Sequence, residues 1–146
     1  MSQKIVFMGT PEFSVPTLES LVNAGHKILA VYSQPASKAN RGQKIIPSSV
    51  EIFAKENSLN IRTPVQLDID EEYNFFKKLE PDIVIVIAYG KIIPKRFLNL
   101  AKNGFINIHA SLLPKWRGAA PIQRAIMNMD KETGVSIMKI VKELDA

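Results

Sequence analysis

Cysteine is missing altogether from this 146-residue chain. Disulfide frameworks, thiolate metal sites and cysteine nucleophiles are therefore excluded. Histidine occurs only as His26 and His109, too few for a histidine-rich metal centre. One His joined by Asp or Glu stays open as a ligand set, but no H-E-x-x-H or comparable spacing supports it, and no metal is expected. Long hydrophobic runs are lacking too. The longest, Ile83 to Tyr89, falls far short of the ~20 residues that span a bilayer. The amino terminus, Met1-Ser2-Gln3-Lys4, shows no secretory h-region or cleavage pattern. The expectation is a cytoplasmic chain with no membrane contact.

What is present describes an ordinary globular protein, 46% apolar and 23% charged. The length suits one domain that buries ~70% of its unfolded surface. The net charge of +5, from 19 basic and 14 acidic side chains, favours an anionic partner such as RNA, a nucleotide or a polyglutamate tail.

Strand and helix patterns alternate along the chain. Ile5 to Met8 is apolar without alternation, as in a strand buried on both faces. A helix should follow Gly9-Thr10-Pro11, with Ser14 as N-cap, Pro16 in its first turn and Gly25 closing it. His26 then stands at a helix end that favours a cation. Ile28 to Tyr32 is a second strand. The unit invites a dinucleotide reading that fails, because Gly9 stands alone where G-x-G-x-x-G is needed. From Ser33 to Pro47 the pattern breaks into a polar, basic stretch expected to be a long loop. Lys38, Arg41 and Lys44 in it fit phosphate contacts; the alternative is a solvated surface loop.

Ser48-x-x-Glu51 is a capping box for the next helix. A short strand, Asn60-Ile61-Arg62-Thr63-Pro64, ended by the proline, and a helix, Asp70 to Glu80, lead to Ile83-Val84-Ile85-Val86-Ile87-Ala88, which should be the middle of the sheet. Its exit, Tyr89-Gly90-Lys91-Ile92-Ile93-Pro94, enters a short helix with Phe97, Leu98 and Ala101, and on apolarity alone Ile92 and Ile93 read as core. Phe105 to Ile108 is a further strand, residues 119–129 a helix, and Gly134 to Ile140 a half-exposed edge strand. The alternation predicts an α/β fold: a Rossmann-like, open, mostly parallel sheet with helices on both faces.

The stretch Asn107 to Ile122 is the most informative. Asn107 and His109 lie two apart at the end of a strand, so amide and imidazole project to one side. Polar groups at strand carboxyl ends are how such sheets build sites. The same rim should receive Gly9 to Pro11, Ala88 to Gly90 and Asp145. An amide that donates to a developing oxyanion, an imidazole and a carboxylate suit acyl transfer to an amine. Ser111, without a G-x-S-x-G elbow, does not suit nucleophilic catalysis. Arg117 and Gly118 read as structural, and Trp116 as cover for the loop.

The block Asn107 to Arg124 resembles the signature of the folate-dependent formyltransferases. Its ending, Trp116-Arg117-Gly118-Ala119-Ala120-Pro121-Ile122-Gln123-Arg124, is similar to the branch that acts on methionyl-tRNA rather than to those acting on glycinamide ribonucleotide or sugar nucleotides. The resemblance implies 10-formyltetrahydrofolate as donor and initiator methionyl-tRNA as acceptor. It implies Asn107, His109 and Asp145 as the catalytic groups, Asp145 standing in a Leu-Asp context where Ala146 replaces the family's Thr. The folate is expected beside Tyr89, Gly90, Lys91, Ile92 and Ile93, with Ser111, Leu112, Leu113 and Pro114 as an adjoining wall. The basic stretch with Lys38, Arg41 and Lys44 is expected to grip the tRNA acceptor arm.

The resemblance covers essentially the whole chain, which is expected to be one partial catalytic domain, residues 1–146. Relatives add the rest of that domain and a small β-rich tRNA-binding domain, and a full-length monomer is expected. Two other readings remain: a formyltransferase acting on a sugar nucleotide or glycinamide ribonucleotide, and a non-catalytic nucleotide- or RNA-binding α/β module.

Overall fold

The computed structural model describes residues 2–39, 44–108 and 137–140. In chain order its strands are β1 (Lys4–Gly9), β2 (Lys27–Tyr32), β3 (Ser37–Ala39), β4 (Lys44–Ile46), β5 (Ile61–Arg62), β6 (Ile83–Ile87), β7 (Phe105–Ile108) and β8 (Ile137–Ile140). The helices are α1 (Val15–Asn23), α2 (Ser49–Glu56) and α3 (Asp70–Leu79), with 3-10 turns at Glu12–Ser14 and Lys95–Phe97. Six strands form one sheet in the order β5-β2-β1-β6-β7-β8. All neighbours are parallel except β7 and β8, which run antiparallel. This is the expected Rossmann-like, mostly parallel sheet, with β6 beside β1 at its centre.

Both faces of that centre are buried, and this explains the uninterrupted apolar runs. Ile5, Phe7, Ile83, Ile85 and Ile87 face α1 and α2, packing on Leu18, Leu21, Val50 and Ala54. Val6, Met8, Val84 and Val86 face the other way, onto Phe76 of α3 and onto Phe97, Leu98 and Ala101. The Phe76 ring stacks on Phe105 and meets Phe97 edge-on, with centroids 5.7 and 5.4 Å apart. Such pairs add about 0.5–1.5 kcal/mol each beyond their burial.

Helix entry follows the sequence at α2, where Ser48 Oγ accepts from Glu51 N–H at 3.0 Å. At α1 it does not. Ser14 occupies the N-cap position without a side-chain cap, because its hydroxyl donates to the Ile87 carbonyl at 2.8 Å instead. The short helix expected after Pro94 is only the 3-10 turn Lys95–Phe97. The long loop expected from Ser33 to Pro47 is also corrected. Within it β3 and β4 pair antiparallel, Lys38 opposite Ile45 and Ala39 opposite Lys44, as a two-stranded ribbon beside the main sheet. Among the described residues no helix is long and apolar enough to cross a membrane.

Candidate active site

Strand order places the switch point of the sheet between β1 and β6. From β1 the chain moves outward through β2 to β5, whereas β6 leads the opposite way to β7. The two strand exits diverge to opposite faces, α1 packing on one and the segment from Ile93 to Ala101 on the other. Open α/β sheets bind ligands in the crevice this creates at the strand carboxyl ends.

The strands end level there, with Gly9 beside Ile87. A Cβ on Gly9 would lie 2.9 Å from the Ile87 oxygen, 2.9 Å from the Phe7 ring and 3.2 Å from Ser14 Cβ. Gly9 thus serves close packing between strand and helix entrance. Beyond it, Thr10 Oγ1 donates to the Tyr89 carbonyl at 2.8 Å, bridging the crevice. Gln34, just past β2, donates through Nε2 to the same carbonyl at 3.2 Å and through its main-chain N–H to Thr10 Oγ1 at 3.3 Å. The sequence places Thr10 at this rim without naming its partner, and gives Gln34 no place in the site. Their contacts join segments far apart in the chain and leave no local pattern.

The exit of β6 has an unusual backbone. Ala88 sits at φ +54 and Gly90 at φ +90, a region sparsely populated by residues with a side chain. The Tyr89 side chain turns into the core at 1% exposure, so the phenol is not part of the loop's outer surface. Among the described residues its hydroxyl has no hydrogen-bond partner. Burial, and then the charge of Glu72, pushes that phenol well above its usual range. Glu72 is itself buried, held by Arg62 through Nε–Oε1 at 2.9 Å and Nη2–Oε2 at 3.0 Å. Tyr32 Oη donates to Glu72 Oε1 at 3.3 Å, and burial followed by Glu72 raises its pKa as well. Both phenols therefore stay protonated at any physiological pH.

Farther along the loop, Lys91 Nζ donates to the Val65 carbonyl at 2.8 Å. Ile93 is buried on the α3 face of the sheet, as the apolar pattern suggested. Ile92 is not core: it is 76% exposed at the rim. Asn107, one residue before the end of β7, is half-buried and pairs with Val86 on one side and Met138 on the other. By strand alternation it shares the face of Phe105, the one that also carries Tyr89 and Ile93. Asn107 and the 88–93 loop are thus brought to one rim. His109, Ser111, Leu112, Leu113, Pro114 and Asp145 lie outside the described residues, as do Arg41 and the helix expected over 119–129. Lys38 and Lys44 sit on the two strands of the ribbon, and the Lys44 side chain is exposed. Among the described residues no three His, Asp or Glu side chains cluster as a metal site.

The pattern defining the formyl transferase family matches residues 3–146. The chain belongs to that family. It is 62% identical over 146 residues to the methionyl-tRNA formyltransferase of Pelagibacter ubique, covering 99% of this chain and 47% of that protein. The chain thus spans about half the length of the curated relatives it matches. Among solved structures it resembles a phosphoribosylglycinamide formyltransferase from Brucella melitensis, with a TM-score of 0.62 at 20% identity, over 99% of this chain and 76% of that one. It also resembles a formyltetrahydrofolate deformylase from Pseudomonas putida, with a TM-score of 0.59 at 20% identity, over 100% of this chain and 51% of that one. At such identities these two speak for the formyltransferase fold alone.

Proposed function

We propose that this protein transfers the formyl group of 10-formyltetrahydrofolate to the amino group of methionyl-initiator tRNA, acting in translation initiation as a cytoplasmic monomer. The observation that carries this reading is the 62% identity to a methionyl-tRNA formyltransferase along 99% of the chain. The rim geometry supports the donor side. Among the described residues, no hydrogen bond engages the main-chain N–H and C=O groups of 90–93, and Ile92 presents apolar surface beside them. Apolar cover next to main-chain groups that no described residue engages fits a flat heteroaromatic ring with donors and acceptors along its edge. Tyr89, Gly90, Lys91, Ile92 and Ile93 would hold the folate, with Ser111, Leu112, Leu113 and Pro114 beside them, and the folate would supply the activated formyl carbon.

In this reading the methionyl amine adds to that carbon and its carbonyl oxygen becomes anionic. Asn107 donates a side-chain N–H to the oxygen, and His109 shares the charge. Asp145 orients His109 and accepts the proton that leaves the amine. The new C–N bond is kept, the bond to the folate nitrogen breaks, and that nitrogen takes up a proton. Lys38 and Lys44 on the ribbon, together with Arg41, bind acceptor-arm phosphates.

The test is a competition between acceptors in the presence of 10-formyltetrahydrofolate. Methionyl-initiator tRNA should be formylated, and glycinamide ribonucleotide and amino-sugar nucleotides should not. Comparable kcat/KM for either small acceptor would overturn the assignment.

A further inference from the structure

We infer that Gln34 is a positioning residue for the donor loop: its side-chain amide fixes the Tyr89 carbonyl and Gly90, and so sets the main-chain edge offered by residues 90–93. This rests on the donor-site reading above. Side chains from the ends of two strands close on a single carbonyl at the end of a third, all three at the sheet centre. Gln34 beyond β2 and Thr10 beyond β1 both donate to Tyr89 O beyond β6, at 3.2 and 2.8 Å. The Gln34 main-chain N–H meets Thr10 Oγ1 at 3.3 Å, which keeps the amide from swinging away.

Steric contact gives a second, independent line. At Gly90, where φ is +90, a Cβ would overlap the Gln34 amide group. Gln34 therefore fills the space above Gly90 and walls in a residue whose backbone would otherwise explore many conformations. The loop is pinned at its far end by Ile93, buried at 4% exposure. Between these anchors, among the described residues, no hydrogen bond shapes the backbone of 90–93. Apart from the Lys91 side chain, which reaches the Val65 carbonyl, its shape is inherited from its ends, and Gln34 holds the near end together with Thr10. A preorganised edge binds more tightly because less ordering is left to do on binding.

The test compares Gln34→Ala and Gln34→Met, the second keeping the bulk and losing the donor. Backbone NMR order parameters at residues 90–93 and hydrogen exchange in β6 are read together with calorimetric affinity for 5-formyltetrahydrofolate, a stable stand-in for the donor. Gln34→Ala should lower the order parameters at 90–93 and leave exchange in β6 unchanged. It should weaken 5-formyltetrahydrofolate about tenfold, the effect of a lost hydrogen bond plus lost preorganisation. Donor KM should rise with acceptor KM unchanged, and Gln34→Met should fall between. Unchanged order parameters at 90–93 and unchanged affinity in Gln34→Ala overturn the proposal. So does a loss of affinity accompanied by faster exchange throughout β6 and a lower melting temperature, which would make the role merely structural. If wild-type protein ignores the probe while Gln34→Ala still loosens 90–93, the donor-site reading falls and the loop restraint stands.

Discussion

Ser14 Oγ donates to the main-chain oxygen of Ile87 across 2.8 Å, tying the entrance of α1 to the last residue of the central strand. Both partners are buried, so water cannot replace the bond. Ser14→Ala should cost about 1–2 kcal/mol, the loss expected for a buried hydrogen bond whose acceptor is left behind. Urea unfolding should show it as a lower midpoint with the slope unchanged. An unaltered midpoint would mean that the helix entrance is held by apolar packing alone.

Gly9 lies under the same contact, and there the change would add atoms. The nearest groups to a new Cβ are the Ile87 carbonyl and the packed Phe7 ring, both at 2.9 Å. Neither is a flexible side-chain end that can step aside. Gly9→Ala should therefore destabilise by about 1–3 kcal/mol, the usual range for overpacking. Its melting temperature should lie well below that of wild type.

Glu72 is 6% exposed, and its carboxylate is carried by the two-point contact with Arg62, whose guanidinium also lies 3.8 Å over the Phe75 ring. Among the described residues, Arg62→Met would leave that buried charge with the Tyr32 hydroxyl as its remaining partner, at a cost of about 3 kcal/mol. Neutralising the carboxylate as well should return part of the loss. Arg62→Met/Glu72→Gln is expected to be more stable than Arg62→Met, and a double-mutant cycle measures the coupling. A double variant less stable than the single one would show that the Glu72 carboxylate is stabilised by groups other than Arg62.

The central strands were legible because burial on both faces leaves a local signature, the unbroken apolar runs Ile5–Met8 and Ile83–Ile87. The Ser48 cap was legible for a similar reason, since its partner Glu51 is three residues away. The ribbon was not, because pairing Lys38 with Ile45 and Ala39 with Lys44 produces no regular alternation. Gly9 stands alone where a dinucleotide loop needs three glycines, and its reason is a close approach between strands and helix entrance that no short pattern encodes. Asn107 could be placed on its strand from sequence. The Gln34–Tyr89 contact that shapes the facing loop spans 55 residues and could not.

His26 illustrates the same limit and gives a pH prediction. Its place at a helix end suggested a cation, yet it is buried, and Nδ1 accepts a hydrogen bond from the Gln3 N–H at 3.0 Å. That bond requires an unprotonated Nδ1. Burial first, and then the positive amino terminus, lower its pKa below the ordinary 6.5. The unfolded chain thus binds the proton more readily than the folded one. The contribution to stability is fully present above the ordinary pKa and is lost as pH falls through it towards the folded value. Denaturation midpoints of wild type should drop between about pH 7.5 and 5.5, bracketing the histidine range. His26→Asn should show a flatter profile over that span, and an identical slope would remove His26 as the cause.

Asn107 offers the most direct test of the proposed chemistry. It is half-buried, its strand is held on both sides by Val86 and Met138, and it shares a sheet face with Tyr89 and Ile93 of the donor loop. A group that donates to an oxygen only as it becomes anionic acts on the transition state more than on bound substrate. Asn107→Ala should therefore lower kcat for formyl transfer about 10²- to 10³-fold, the scale seen when one oxyanion donor is removed. KM for the donor should change far less. Asn107→Asp keeps the shape but places an acceptor where a donor is needed, so it should be at least as impaired near neutral pH. A large rise in donor KM with kcat preserved would instead make Asn107 a ground-state binding group and leave the oxyanion to other residues of the rim.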